Sequence, residues 1–431
     1  MAGVPRSRGC NNCRKIKKRV RKCDQAKPSC GRCTRLLLTC TGNGTQRWTF
    51  IQQSFGRHLQ HLTASPRPSP SNETTRTASN LVSLLEIQDV RYNLRHFGGP
   101  YCMELLHLLG TNTALDASIS ALIASYRATQ CNQSRVEALT RYGTAMKLLR
   151  TSLTGTDSSI LQKIFTVINV SLCQQWINLT RQETSTHREI LAHLLELSVV
   201  RQRLKEIRPE FIIGLCQIAT WESMVNPRVK LGPWFWEALR ACNHLHPHVR
   251  HQDDVPSSEV EIHATASLCL REPEKHLARL REIYKLIQQD KHKVHHIIEQ
   301  WTAETDMDTM LRVSSQFGYR FGYGLLLSLG PRINRCLRRF DKDPALVIES
   351  YEFCDQAIAI GRQCLRILPF GAGFVPTYLK SVWASTPDAY RYSELEGLMG
   401  EYEKDFRGVG YIQQAEWIRT QFDILEGALI E

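Results

Sequence analysis

Long hydrophobic runs are missing from this 431-residue chain. No apolar stretch approaches the ~18 residues that a membrane-spanning helix needs, so no membrane partner is expected. Strand-like alternation of apolar and polar residues is also scarce, which argues against a large sheet. Residues 1–8 are polar and basic, and no secretory signal is expected there. Because the 15 cysteines are odd in number, we expect reduced thiols rather than a fully paired disulfide framework.

Acidic residues are nearly absent from the first 50 positions. This segment holds thirteen Lys and Arg against a single acid, Asp24, whereas the other 381 residues carry 42 basic and 41 acidic side chains. The chain therefore combines a nearly neutral body, residues 81–431, with a small and strongly basic head, residues 1–42. A polyanion is the expected partner of the head, and nucleic acid is favoured over a membrane surface.

A stretch of low hydrophobicity separates the head from the body. Residues 43–80 are assigned to a flexible linker, because residues 63–80 carry no apolar side chain larger than alanine and are rich in Ser, Thr and Pro. The few large apolar residues of the segment 43–62 span two heptads at most, which is too short for a convincing coiled coil.

Helical periodicity dominates the body. Apolar residues between Leu277 and Trp301 recur at steps of three and four, with Lys291 in one slot, and a dimer seam would give such a pattern. Additional apolar residues widen the stripe, which favours a helix packed into a core. We predict helix breaks at clusters of Gly and Pro, including Gly330-Pro331. The segment Phe317–Gly324 lacks a phosphate-binding pattern and is interpreted as helix packing or a helix break.

Six of the cysteines lie in the head at metal-ligand spacing. They are Cys10, Cys13, Cys23, Cys30, Cys33 and Cys40. A C-x2-C pair lets two thiolates reach one ion from a tight turn, and Zn²⁺ takes four such ligands tetrahedrally. Six thiolates complete two four-ligand shells only if two of them bridge both ions. The alternative is a single-zinc ribbon that uses the two C-x2-C pairs alone and leaves Cys23 and Cys40 idle.

The segment CNNCRKIKKRVRKCDQAKPSCGRCTRLLLTC, residues 10–40, resembles the binuclear zinc cluster of fungal transcription factors. The pattern of that family is two C-x2-C-x6-C halves, with a basic run before the third cysteine and a C-D…P-x-C connecting loop. Asp24 and Pro28 stand at the corresponding places of this loop. The resemblance implies two zinc ions per chain, with Cys10 and Cys30 as bridging ligands. It also implies two pairs that complete the shells, Cys13 with Cys23 and Cys33 with Cys40.

The resemblance further implies a transcription regulator of the RNA polymerase II type, located in the nucleus. Its partners would be double-stranded DNA with CGG-like half-sites, together with the transcription machinery or co-regulators. Lys and Arg side chains make bidentate contacts to guanine in the major groove, and further basic residues contact phosphates. The basic run 14–22 also suits a nuclear localisation signal. The candidate DNA-binding residues are Arg14, Lys15, Lys17, Lys18, Arg19, Arg21, Lys22, Lys27, Arg32 and Arg35.

The sequence departs from the family pattern between Cys13 and Cys23. Nine residues separate these cysteines where the family has six, and removal of Ile16, Lys17 and Lys18 would restore a typical loop. Three extra helical residues add ~4.5 Å and rotate the following residues by about 300°. Zinc closure tolerates a bulged loop, whereas a bidentate base contact does not tolerate displacement. We therefore predict that the chain binds zinc and DNA but discriminates its DNA site poorly.

Two other classes of function stay open. One is an enzyme with an accessory zinc module, although no nucleophile–base signature stands out and we expect no enzyme. The other is a zinc-stabilised interaction protein whose DNA reading is impaired by the three extra residues. A homodimer is left open, without a clear coiled coil. The predicted fold is all-α, with a binuclear zinc cluster in residues 1–42, a flexible linker in residues 43–80 and an α-helical regulatory region of the fungal transcription factor type in residues 81–431.

Overall fold

Helix is the regular structure throughout the part of the chain that the computed structural model describes. This part comprises residues 10, 12–13, 23–40, 72–94, 101–130, 135–154, 159–177, 184–243, 255–303, 310–406 and 409–425. No strand occurs within these ranges, and the predicted all-α fold is confirmed. The chain divides into two units, Met1–Ser69 and Pro70–Glu431.

In the described part of the first unit, the short helix α1 spans Gly31–Arg35, and Asn12 and Cys13 are also helical. The second unit contains a succession of longer helices joined by short connections. In chain order they are α2 (Glu73–Leu85), α3 (Tyr101–Leu108), α4 (Thr113–Gln130), α5 (Val136–Thr154), α6 (Ile160–Ile177), α7 (Thr184–Val200), α8 (Pro209–Val225), α9 (Pro233–Asn243), α10 (Val260–Arg271), α11 (Pro273–Ala303), α12 (Met310–Phe340), α13 (Ala345–Cys364), α14 (Val375–Ser385), α15 (Tyr392–Glu403) and α16 (Tyr411–Leu425).

Helix α2 begins inside the segment that the sequence analysis assigned to the linker. Asn72 has extended backbone, and its Oδ1 accepts the Thr75 N–H at 2.7 Å, which caps the helix. Leu81 and Leu85 are buried and supply its apolar side. Residues 73–80 are therefore helical rather than extended linker, because a cap at one end and tertiary packing at the other stabilise a segment of low hydrophobicity. Residues 43–71 of the predicted linker lie outside the described residues.

The apolar stripe of α11 faces the core of the second unit. Leu280 and Ile287 on this stripe are fully buried, as is Lys291. The Lys291 Nζ lies 3.4 Å from the Glu352 carboxylate and 4.4 Å from the centre of the Phe353 ring. Neighbouring helices of the same chain thus cover the stripe. This confirms that α11 is a helix packed into the core, as predicted, rather than one that exposes its apolar stripe as a dimer seam.

The helix break predicted at Gly330-Pro331 is wrong, because α12 runs through both residues. A Cβ atom at position 330 would lie 2.6 Å from the Cζ of Phe353, so glycine permits the close approach of α13. Leu329 and Ile333 on the same turns are fully buried. Packing on several sides outweighs the loss of about 3 kcal/mol that an interior proline brings.

The segment Phe317–Gly324 lies in the same continuous helix, so its interpretation as helix packing is correct. Most buried residues of the second unit, from Leu81 to Phe422, belong to one hydrophobic core. Phe370 lies within this core, with its ring 4.8 Å from that of Tyr126. None of the helices in the described ranges is both long and apolar enough to cross a membrane.

Candidate metal centre

The sulfur atoms of the head cysteines lie at separations that suit a shared metal. The Cys10 Sγ is 3.7 Å from the Cys30 Sγ and 3.6 Å from the Cys33 Sγ, and the Cys13 and Cys30 sulfurs are 3.8 Å apart. A disulfide bond would need about 2.05 Å, and these cysteines are free thiols. Two thiolates bound tetrahedrally at about 2.3 Å from one zinc ion lie about 3.8 Å apart. The donor set therefore fits zinc.

The sulfurs form two overlapping groups of four, and within each group all four lie within 4.8 Å of one another. Cys10 and Cys30 belong to both groups. The other members are Cys13 and Cys23 in the first group and Cys33 and Cys40 in the second. This is the division that the resemblance to the fungal cluster implies. A single-zinc ribbon would use only the two C-x2-C pairs, and it would not require Cys23 and Cys40 to lie near the other sulfurs.

Backbone N–H groups support the sulfurs in the same way in each half. The N–H of the second cysteine of each C-x2-C pair donates to the sulfur of the first, at 3.4 Å in both halves. The N–H of the first cysteine donates to the third, at 3.4 Å from Cys10 to Cys23 and 3.3 Å from Cys30 to Cys40. Each such donor favours the thiolate over the thiol. The two cysteine-containing halves of the motif, which are similar in sequence, therefore also have the same pattern of hydrogen bonds.

Asp24 holds the loop that joins the two halves. Its two carboxylate oxygens accept the N–H of Gly31 at 3.0 Å each, and Gly31 is the first residue of α1. A Cβ atom at position 31 would lie 2.9 Å from the Asp24 Oδ2, so a larger residue would disturb this contact. The acid also complements the positive end of the helix dipole. The C-D dipeptide of the motif therefore has a structural role.

Asn12 makes a contact that the sequence reasoning missed. Its Nδ2 donates to the backbone oxygen of Thr39 at 2.6 Å, which links the first half of the motif to the end of the second. No spacing rule distinguishes such an asparagine from any other polar residue between two cysteines, because the partner lies 27 positions along the chain. Only the fold shows this contact.

The electrostatics of the thiols call for a cation. A hydrogen bond to the Cys10 sulfur, together with burial, raises the pKa of Cys13 to about 12. Burial also raises the pKa of Cys33 well above its usual range. By contrast, the Cys10 N–H lowers the pKa of the Cys23 thiol to about 7. Closely packed thiols resist joint ionisation, and bound Zn²⁺ supplies the positive charge that keeps them deprotonated.

Three of the predicted DNA-binding residues fall in the described part of the head. Lys27 and Arg35 are exposed and Arg32 is half-buried. None of the three forms an ion pair with an acid that the structure describes. The other candidates lie outside the described residues, as does Ile16 of the three-residue excess: Arg14, Lys15, Lys17, Lys18, Arg19, Arg21 and Lys22.

Comparison with known protein families identifies the head. The family model of the fungal Zn(2)-Cys(6) binuclear cluster domain matches residues 8–49. No curated protein and no solved structure matches the chain. The match includes all six clustered cysteines, and their grouping suits the two metal ions that this domain holds. This chain therefore carries a fungal Zn(2)-Cys(6) binuclear cluster domain, the two-zinc DNA-binding domain of fungal transcription regulators.

Proposed function

We propose that this protein is a nuclear, sequence-specific transcription regulator of the RNA polymerase II type. Its head would read CGG-like half-sites in double-stranded DNA, and residues 81–431 would form the regulatory region. The observation that carries the proposal is the paired grouping of six sulfurs inside a segment that matches a DNA-binding domain. The strongly basic composition of the head supports it independently.

The two groups of sulfurs support one assignment of the metal ligands. Cys10 and Cys30 would bridge both zinc ions, since each lies within reach of every sulfur of both groups. The pairs Cys13–Cys23 and Cys33–Cys40 would complete the shells. Bound zinc would stabilise a fold that buries little else and so hold the basic run 14–22 against the DNA.

The DNA contacts divide into two kinds. Basic side chains of the run 14–22 would reach guanine edges in the major groove, where Arg and Lys bond O6 and N7. Lys27, Arg32 and Arg35 would contact phosphates and set the register on the duplex. The run 14–22 holds seven basic residues in nine positions, which also supports nuclear import.

A comparison of the full chain with a chain that lacks residues 1–45 tests the proposal. The full, zinc-loaded chain should bind a CGG-containing duplex with an affinity that falls steeply with salt, because bound phosphates release counterions. The shortened chain should lose this affinity, since the rest of the protein is nearly neutral. Lys27→Ala should lower the slope of log affinity against log salt concentration by about 1, because one phosphate contact is lost. The body variant Lys404→Ala should leave this slope unchanged. Binding by the headless chain would contradict the proposal.

The nine-residue spacing between Cys13 and Cys23 favours one second candidate, a zinc-stabilised interaction protein with impaired DNA reading. Deletion of Ile16, Lys17 and Lys18 should raise discrimination between CGG-containing and scrambled duplexes by about 1–3 kcal/mol for each recovered bidentate contact. The gain is expected although two positive charges are removed. Competition titrations of both versions at one salt concentration measure it. Equal or lower discrimination after the deletion would show that the longer spacing is a working variant.

A further inference from the structure

Two cavities lie side by side in the second unit. The larger, of about 330 Å³, lies among α6, α7, α8, α12 and the residues that lead into α14. The smaller, of about 80 Å³, continues toward α16. Both are lined by Arg188, Trp221, Ser328 and Thr377, which therefore mark the junction. The larger volume falls in the range of roughly 300–1,000 Å³ that is typical of small-molecule sites.

The larger cavity is lined mainly by aromatic and aliphatic side chains. Phe317 and Phe321 each pack edge-on against Phe374, with ring centres 5.8 Å apart. Phe321 is 39% exposed, so this wall extends to the surface. The Nε2 of Gln217 is buried beside the cavity without a hydrogen-bond partner in the described part of the chain. An apolar molecule would fit here, and one acceptor atom on it would satisfy the amide.

The smaller cavity has a cationic lining. Lys380 donates from its Nζ to the neutral Gln414 Oε1 at 2.7 Å, and its ammonium lies 5.5 Å from the centre of the Tyr411 ring. Within the described residues no carboxylate forms an ion pair with it. Burial, with repulsion from Arg188, lowers the pKa of Lys380 to about 7. A buried ammonium of this kind is stabilised by any anion that enters.

Two further charged side chains line the smaller cavity. Arg332 is 1% exposed, and its guanidinium carbon lies 4.0 Å from the centre of the Phe422 ring. Glu222 is the acid among the described lining residues, and its carboxylate accepts the Asn226 Nδ2 at 2.9 Å. Three cations therefore face one acid at this end. Such a lining suits a singly charged anion, and a guanidinium binds a carboxylate with two parallel hydrogen bonds.

We propose that the two cavities form one binding site for a small amphipathic carboxylate, an organic acid with an aliphatic or aromatic body. The carboxylate occupies the end lined by Lys380, Arg332 and Arg188, and the apolar body occupies the phenylalanine-lined cavity. The site has an apolar part for affinity and a charged part for orientation, which is the usual composition of a ligand pocket. This proposal does not depend on the DNA-binding function of the head.

Calorimetric titration of the full, zinc-loaded chain with decanoate, below its micellar concentration, tests the proposal. We expect saturable binding of one decanoate per chain. Decan-1-ol, which has the same apolar body without the charge, should bind at least tenfold more weakly, and inorganic phosphate should not compete. Absence of decanoate binding, or equal affinity for decan-1-ol, would overturn the proposal. Effective competition by phosphate would also overturn it, because the site would then recognise the charge alone.

Two variants separate the cationic end from general hydrophobic binding. Lys380→Met keeps an unbranched side chain of similar length and removes the charge. Arg188→Met changes an exposed residue, so the body should still fold. Each should weaken decanoate binding fivefold or more and leave decan-1-ol binding unchanged. Arg201→Met, an exposed arginine just beyond α7 and outside both cavities, is the matched control. Unchanged decanoate affinity in Arg188→Met would contradict the assignment even if Lys380→Met failed to fold.

Discussion

The head and the body of this protein differ in the kind of side chain that they bury. The body encloses a large core of aliphatic and aromatic side chains. In the described part of the head, the buried apolar residues are four cysteines, and the leucines at positions 36–38 are exposed, Leu37 by 96%. A chain segment that buries so little apolar surface cannot offset its loss of conformational entropy by hydrophobic burial. The body is therefore stabilised by its own hydrophobic core, whereas the head is expected to depend on bound zinc for its fold.

Removal of zinc should have the largest effect, and it should affect the head but not the body. The full chain should hold two zinc ions, and a chelator that removes them should abolish DNA binding and unfold the head, since structural zinc contributes on the order of 10–16 kcal/mol in small domains. The helical circular dichroism of the body should persist. Metal analysis and far-ultraviolet spectra check both parts. One zinc ion per chain would contradict the two-ion cluster, and loss of the body's helicity would contradict its independence.

A substitution in the hydrophobic core should have the opposite effect: it should destabilise the body and leave the head unchanged. Phe353 on α13 is fully buried against α11 and α12, so Phe353→Ala should lower the free energy of unfolding of the body by about 3–5 kcal/mol. The zinc content should stay at two ions. Ile348→Ala on the same helix is the control, because Ile348 is 60% exposed and its loss should matter by less than about 0.5 kcal/mol. Urea denaturation measures both effects.

Low pH should destabilise the body, because one buried histidine takes up a proton only when the body unfolds. His263 is fully buried, and burial lowers its pKa to about 4, although its ring donates to the Ser257 oxygen at 2.9 Å. Above pH 6.5 the ring is neutral in both the folded and the unfolded state. As the pH falls from 6.5 to 4, only the unfolded state takes up the proton. The free energy of unfolding should therefore fall by about 3 kcal/mol over this window.

Urea denaturation of His263→Gln at several pH values checks this effect. The variant should lose most of the pH dependence between 6.5 and 4, because a neutral amide replaces the group that titrates. His193→Gln, at an exposed position, should keep the dependence of the parent chain. If both variants show the same slope as the parent, another buried group is responsible.

The smallest effect is expected within the head. Asp24→Ala removes the acceptor of the Gly31 N–H at the start of α1, and the loss of such a hydrogen bond amounts to about 1 kcal/mol. Zinc affinity should fall by roughly fivefold, because the loop between the two halves is less well held. Leu37→Ala should leave zinc affinity unchanged, since this side chain makes no buried contact. Competition with a chromophoric zinc chelator measures the difference.

Several features of the body were misjudged from sequence for identifiable reasons. Gly330-Pro331 has the composition of a helix break, but burial of the flanking residues keeps α12 continuous. Residues 73–80 have the composition of a linker, but the Asn72 cap and the buried Leu81 make them helical. At Gly330-Pro331 packing against distant residues reversed the local preference, and at residues 73–80 a local cap acted together with such packing.

The metal centre could be predicted from sequence because its physics is local. Its candidate ligands all lie between Cys10 and Cys40, and short loops bring thiolates to a metal whenever their spacing is right. The proposed carboxylate site could not be predicted in this way. Arg188, Arg332 and Lys380 are far apart in the chain and are basic residues without a motif. Only the packing of α7, α12 and α14 brings their charges to one cavity, because long-range contacts depend on the whole core rather than on neighbouring residues.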